Sequence, residues 1–300
     1  MKSALFSFLI IGTWIPFIFS CSPTTLINVV SPSNHYDKKT DIAYGKYERQ
    51  KLDIYIPNYL EEEHKNSTVI VFFHGGGWDS GNKNKYKFVA SRLTLEGYTV
   101  VIPSYRIYPN VVFPTFIEDA ALAIAWLKNN QNDYSINTDK VYVMGHSAGA
   151  HIASLLTADK RYLESAGISV SYIAGFIGLA GPYNFLPLTS DKLKKIFPEE
   201  TRTNSQPINF VDGTEVPYLL LHGTDDKTVW PQNSQTLAEK ILSKNGNVTL
   251  QLYEGINHIG IISPFIPGFK NSTPTVQDII NFINSNNVKE NLGPIETSQN

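Results

Sequence analysis

Short apolar runs alternating with helix-like stretches limit most strongly what this chain can fold into. Val69–His74 (VIVFFH), Tyr98–Tyr105 (YTVVIPSY), Lys140–His146 (KVYVMGH), Ser171–Gly181 (SYIAGFIGLAG), Val216–Gly223 (VPYLLLHG) and Val248–Gly255 (VTLQLYEG) read as strands. Runs that are apolar throughout belong to strands buried on both faces, as in a parallel sheet. Helical patterns fall between them or after them, at Tyr86–Gly97, Pro114–Asn130, Ser147–Thr157, Ser234–Gly246 and Thr275–Asn286. Glycine closes two of these and Pro114 opens another, which are ordinary helix boundaries. The succession predicts an α/β fold, with a mostly parallel central sheet and helices on both faces. Before it, Ala43–Pro57 alternates Leu52, Ile54 and Ile56 with Asp53 and Tyr55. With the stretch preceding it, that pattern predicts an antiparallel pair of strands.

The chain has 300 residues, and 42% of them are hydrophobic, enough for one large α/β domain and too many for disorder. The domain is expected over residues 36–286, with a polar tail at 287–300. Between Tyr183 and Gly213 the rhythm breaks into an irregular insert with one short helix. It is too long for an ordinary connection, and such inserts are often lids or substrate-facing loops. The formal charge is -2, with no long basic stripe, so nothing favours nucleic acid as a partner. The acidic run Glu61–His64 reads as a solvated loop.

The N-terminus differs in kind. Lys2 and Ser3 precede an uncharged apolar run, Ala4–Cys21 (ALFSFLIIGTWIPFIFSC), and a polar stretch follows. This reads as a secretory signal over residues 1–21, with residues 22–35 as a linker. The run is long for a signal and contains Pro16, so an uncleaved membrane anchor is the competing reading. Cys21 is the only cysteine, so no internal disulfide is possible. Its place at the end of the run resembles a bacterial lipoprotein signal, in which the cysteine is lipidated, although Phe19 is bulkier than is usual there. The resemblance implies an exported, lipid-anchored protein of the cell envelope. Ser22 after the cysteine points to the outer membrane.

Ser147 lies in Gly145–Gly149 (GHSAG), where a strand ends and a helix begins. G-x-S-x-G at such a junction is a nucleophile elbow, which lifts the serine hydroxyl above the sheet edge. Side chains two residues before and after would collide, so glycine is needed at 145 and 149. A serine hydroxyl needs a base, and the base needs a carboxylate to orient it. In this architecture the order is serine, acid, histidine. Downstream, Leu219–Pro231 (LLLHGTDDKTVWP) supplies Asp225 and Asp226 after a strand, and Tyr253–Gly260 (YEGINHIG) supplies His258 after the last strand. Both lie at carboxyl ends of strands, where ligands bind in open parallel sheets. His222 reads as structural. His74–Trp78 (HGGGW) follows an earlier strand, and its glycines let backbone N–H groups turn toward an oxyanion. Gly76 and Gly77, with Ala148 just after the nucleophile, are the expected donors.

With HGGGW, GHSAG, HGTDD and NHIG in this order, residues from about Tyr44 to about Ile283 resemble the α/β-hydrolase superfamily. Within it the chain most resembles carboxylesterases of the hormone-sensitive-lipase and feruloyl-esterase-like type. It is also similar to kynurenine formamidases and isoprenylcysteine methylesterases. Ser104–Pro109 (SYRIYP) belongs to the same resemblance. The resemblance selects Asp226 as the acid, with Val229 completing the pattern and Asp225 as fallback. It implies a serine esterase with a Ser147–His258–Asp226 triad and an acyl-enzyme. The substrate is expected to be a small to medium ester, with no metal or organic cofactor. The departure is Trp230, an extra residue before Pro231 that the family pattern lacks. Trp78, Tyr183 and Phe185 are candidate pocket residues. His151 and Asp119 read as structural, and His74 as shaping the oxyanion loop. Two rival readings stand beside esterase action: amide cleavage of the formamidase type with the same triad, and a non-catalytic surface-binding protein.

Overall fold

A computed structural model describes residues 23–59 and 68–292. Cys21 with the apolar run before it, Glu61–His64, and residues 293–300 lie outside the described residues. In chain order the elements are α1 (Pro23–Val30), β1 (Tyr36–Ala43), β2 (Lys51–Pro57), β3 (Thr68–Phe73), α2 (Lys87–Thr94), β4 (Thr99–Pro103), α3 (Thr115–Asn130), β5 (Lys140–His146), α4 (Ala148–Ala158), α5 (Arg161–Ser165), β6 (Ile173–Leu179), α6 (Asp191–Ile196), β7 (Tyr218–Gly223), α7 (Gln232–Ser243), β8 (Val248–Tyr253) and α8 (Thr275–Leu292). The strands form one sheet in the order β1-β2-β4-β3-β5-β6-β7-β8. β3 to β8 run parallel, while β2 pairs antiparallel with both β1 and β4.

Two cores flank the sheet, and strand alternation sorts residues between them. Val69, Val71 and Phe73 of β3 face one core, with Ala120 and Ile124 of α3, Ile152 and Leu155 of α4, and Leu237 of α7. Ile70 and Phe72 face the other, with Phe88 and Leu93 of α2 and Ile279 and Ile283 of α8. Successive side chains on a strand point to opposite faces. A strand covered by helices on both sides must therefore be apolar along its length, as β3 is from Val69 to Phe73. The same sorting holds in β2: Leu52 and Ile54 enter the first core and Tyr55 the second. Every residue of α4 is buried, because α3, the sheet and the insert enclose it.

The structure extends the expected elements at both ends. Residues 22–35, expected as a linker, contain α1. Its Asn28 side chain donates to the Asn84 carbonyl (2.7 Å) and accepts the Phe88 N–H (3.1 Å) in the first turn of α2. α8 runs on to Leu292, past the start of the expected tail at 287. There the Tyr142 hydroxyl of β5 donates to Asn287 Oδ1 (3.2 Å). In both places, contacts with a distant element hold chain that local pattern alone leaves unassigned. The insert holds α6 and two short 3-10 turns, Arg202–Ser205 and Pro207–Phe210. Among the described residues no helix is long and apolar enough to cross a membrane.

Candidate active site

The turn between β5 and α4 sets the position of Ser147. Its backbone lies at φ 56°, ψ -124°, a region that residues with a side chain seldom occupy and that costs about 1–3 kcal/mol. Contacts on every side hold it. The Ser147 N–H donates to the Leu179 carbonyl at the end of β6 (2.9 Å). A Cβ on Gly145 would sit 2.3 Å from the Gly149 carbonyl, and one on Gly149 would sit 2.0 Å from the Phe73 carbonyl of β3. The two glycines thus let the elbow close on itself and let α4 abut the end of β3.

Asp226 and His258 meet in the loops after β7 and β8. His258 Nδ1 donates to Asp226 Oδ2 at 2.7 Å. Asp226 Oδ1 accepts the Thr228 and Val229 N–H groups, each at 2.9 Å. His222 Nε2 shares its proton between the Val229 carbonyl (2.9 Å) and Asp226 Oδ2 (3.3 Å), and its Nδ1 meets the Ser234 hydroxyl (2.7 Å). His222 therefore buttresses the acid, which agrees with its structural reading. Burial by itself would raise the Asp226 pKa. The hydrogen bonds from His222, His258 and Val229 outweigh burial and hold the carboxyl well below the usual carboxylate range. Asp225 is exposed, and its N–H donates to the Ile256 carbonyl. Of the two neighbouring aspartates, the one that meets His258 is Asp226.

One residue of this assembly had no assigned part in the sequence reading. His146, next to the serine, donates from Nε2 to the His258 carbonyl (3.0 Å), and the two rings lie 4.8 Å apart. It ties the His258 loop to the elbow. Burial, then the neighbouring His258, lowers its pKa to about 3, so it stays neutral. Its place inside G-x-S-x-G was visible, but a bond to a residue 112 positions away was not.

In the loop after β3, Gly76 and Gly77 have φ of 125° and 58°. A Cβ on Gly76 would strike the Ser80 carbonyl at 2.4 Å, whereas one on Gly77 meets nothing nearer than 3.5 Å. The Gly76 carbonyl turns away from the site to accept the Asp79 and Ser80 N–H groups. Among the described residues the N–H groups of Gly76, Gly77 and Ala148 have no acceptor, as oxyanion donors require. His74 is buried and stacks on Tyr105 at 4.3 Å, and the Tyr105 hydroxyl donates to the His74 carbonyl (2.6 Å). That fixes the root of the loop.

Trp78, at φ 60°, is turned inward. Its Nε1–H donates to His151 Nδ1 (3.2 Å), and His151 Nε2 donates to the Ser205 carbonyl of the insert (2.7 Å). Burial lowers the His151 pKa to about 4. The elbow helix thus joins the Gly76–Trp78 loop to the insert through one neutral histidine. An ion pair between Lys192 of α6 and Asp79 makes a second tie at the surface. Phe185 stacks on Trp78 at 5.8 Å. Tyr183, expected at a pocket wall, is instead fully buried in the core: Gly178 and Gly181 lack side chains where its phenol packs. A recess of about 510 Å³ on the outer side of His258 is lined by Asp225, Lys227, Thr228, Asn257, His258 and Ile259, and Ser147, Gly76 and Gly77 are not in its wall. Asp119 is structural. It takes a two-pronged contact from Arg106 and a bond from Gln50 (2.7 Å).

Residues 52–241 match the BD-FAE family. The chain belongs to the BD-FAE family. It is 29% identical over 248 residues to a protein of Arabidopsis thaliana named probable isoprenylcysteine α-carbonyl methylesterase, covering 73% of this chain and 50% of that one. An esterase of Mycobacterium tuberculosis is 26% identical over 69% of this chain and 55% of its own length. The chain thus spans about half the length of these relatives. Among solved structures, an inhibited esterase B from Lactobacillus rhamnosis superposes with a TM-score of 0.76 at 20% identity, covering 90% of this chain and 93% of that one. The fold is that of an α/β-hydrolase, as the BD-FAE chain's parallel sheet and its superposition agree.

Proposed function

We propose that this BD-FAE protein is a serine esterase that cleaves small to medium carboxylic esters through an acyl-enzyme. Ser147 attacks the ester carbonyl while His258 takes its proton, and Asp226 holds the imidazole in the tautomer that can accept it. The oxyanion rests on the N–H groups of Gly76, Gly77 and Ala148. His258 then protonates the leaving alcohol and activates the water that releases the acid. The observation that carries this reading is the 2.7 Å bond between His258 and Asp226, with the His258 carbonyl tied to the residue preceding a strained Ser147. Unpaired donors at Gly76, Gly77 and Ala148 support it. So do the names of the relatives, which are esterases. Residues 1–21 export the protein, and a lipid on Cys21 anchors it to a membrane of the envelope.

Hydrolysis of p-nitrophenyl esters of graded chain length tests the catalytic reading, with Ser147→Ala run in parallel and N-formylkynurenine beside them. Ester turnover lost in the variant is expected. Preferential turnover of the formamide would replace esterase with amidase, and turnover that survives Ser147→Ala would remove the assigned nucleophile.

A further inference from the structure

α1 carries its apolar residues on the wrong side for a helix that only packs. Ile27 reaches inward to the core formed by α2 and α8. Leu26, Val29 and Val30 point outward, with exposures of 58%, 75% and 63%. Positions i, i+3 and i+4 share one face of a helix, so these three form a continuous apolar stripe in water. Side-chain bonds of Asn28 to Asn84 and Phe88 fix how the helix is turned. The stripe is therefore presented and not a result of loose packing. Lysines lie beside the helix: Lys85 is exposed in the Lys83–Tyr86 segment that α1 contacts, and Lys87 Nζ donates to the Asn28 carbonyl (3.2 Å). Beyond Val30 the chain enters a groove of about 320 Å³, lined by Pro32, Leu95, Ile266 and Pro267 and edged by Arg92 and Lys270.

We propose that the outward stripe of α1, with the lysines beside the helix, lies against a lipid bilayer at the boundary between headgroups and acyl chains. The proposal rests on reading Ala4–Cys21 as the membrane-anchoring segment. That uncharged run ends two residues before α1, and two residues span at most about 7 Å. A bilayer that holds it, or holds a lipid on Cys21, comes within a helix diameter of the stripe. Amphipathic helices with apolar residues on one face and lysines beside them bind this layer. Topology adds a consequence. α1 is bound to the first turn of α2, and α2 runs antiparallel to β3. The helix thus sits at the carboxyl ends of the parallel strands, the end that carries Ser147, and the membrane stands beside the active-site mouth, not behind it.

Nitroxide labels on the full chain in phosphatidylethanolamine–phosphatidylglycerol vesicles test this. Val29→Cys and Ser243→Cys are labelled separately, the latter at the end of α7 on the opposite face of the sheet. The unsubstituted chain gives the background from Cys21, and ester hydrolysis by each variant reports that it is folded. The expected result is a Val29 label relaxed by oxygen and shielded from an aqueous nickel chelate, with the Ser243 label showing the reverse. A Val29 label open to nickel while the chain floats with vesicles would overturn the proposal and leave the anchor standing. Shielding from both reagents would mean protein covers the stripe, either residues 1–22 or a second copy, and would also overturn it. Failure to float with vesicles would remove the anchor and the proposal together, with hydrolysis unaffected.

Discussion

Asp226 accepts from Thr228, Val229, His222 and His258 at once, so its carboxylate is held in one place. Asp226→Asn keeps an acceptor for the two N–H groups but offers His258 Nδ1 an amide donor. The imidazole then takes the wrong tautomer, and kcat is expected to fall by roughly 10⁴-fold with the fold intact. Asp225→Asn alters an exposed side chain and should leave kcat roughly unchanged. Steady-state hydrolysis of a p-nitrophenyl ester by the pair checks this, and equal losses would argue against the assignment of the acid. His151 is the second residue with a definite forecast. His151→Leu strands the Trp78 Nε1–H and the Ser205 carbonyl, at about 1–3 kcal/mol for each buried group left unpaired. It also frees the loop that carries Gly76, Gly77 and Trp78. Urea unfolding should show the loss of stability, and kcat should fall more than KM rises. A variant with normal kcat would confine His151 to packing.

At the scale of elements, the contact between β3 and α4 decides whether the elbow can form. Gly149→Ala places a methyl group 2.0 Å from the Phe73 carbonyl oxygen and 2.5 Å from its carbon, both backbone atoms at the end of a central strand. Neither partner can move without displacing the sheet. The expected destabilisation is about 3 kcal/mol or more, at the upper end for overpacking. Gly77→Ala is the control, since its Cβ would have space and only the φ of 58° resists it, at about 1–2 kcal/mol. Thermal unfolding of the two variants should separate them clearly. Similar midpoints would mean that the elbow is less tightly packed against β3 than the geometry indicates.

For the whole molecule, buried neutral histidines set the response to acid. Burial lowers the pKa of His74 and His146 to about 3 and that of His151 to about 4, against 6.5 for the unfolded chain. Between these values the unfolded state binds a proton at each site and the folded state does not. Stability therefore rises with pH across this window and is lost as pH falls below about 6.5, by about 1.4 kcal/mol per pH unit for each histidine. Asp226 acts in the same sense at lower pH. Its depressed folded pKa contributes stability above the ordinary carboxylate pKa, and that is lost on further acidification. Urea midpoints measured from pH 7 to about 4 should fall steeply. A midpoint independent of pH would mean that these histidines are not kept neutral by burial.

Much of this architecture could be read along the chain, because it rests on local rules. Apolar runs the length of a strand, separated by helical repeats, define a parallel sheet covered on both faces. Glycines flanking Ser147 mark a turn that only small residues can make, and the order serine, aspartate, histidine follows from where strands end. Folding decided what depends on residues distant in sequence. Strand ends alone leave Asp225 and Asp226 level; the resemblance selects Asp226, and in the fold it is Asp226 whose carboxylate reaches His258, 32 residues on. His146 became a tether because β5 brings it beside the last loop, and Tyr183 went into the core because Gly178 and Gly181 leave a space for its ring. α1 formed where composition suggested a linker, since Asn28 finds its partners some 56 and 60 residues away. Patterns with a period of two or four residues are written in the sequence itself. A hydrogen bond between loops exists only once the sheet has set their distance.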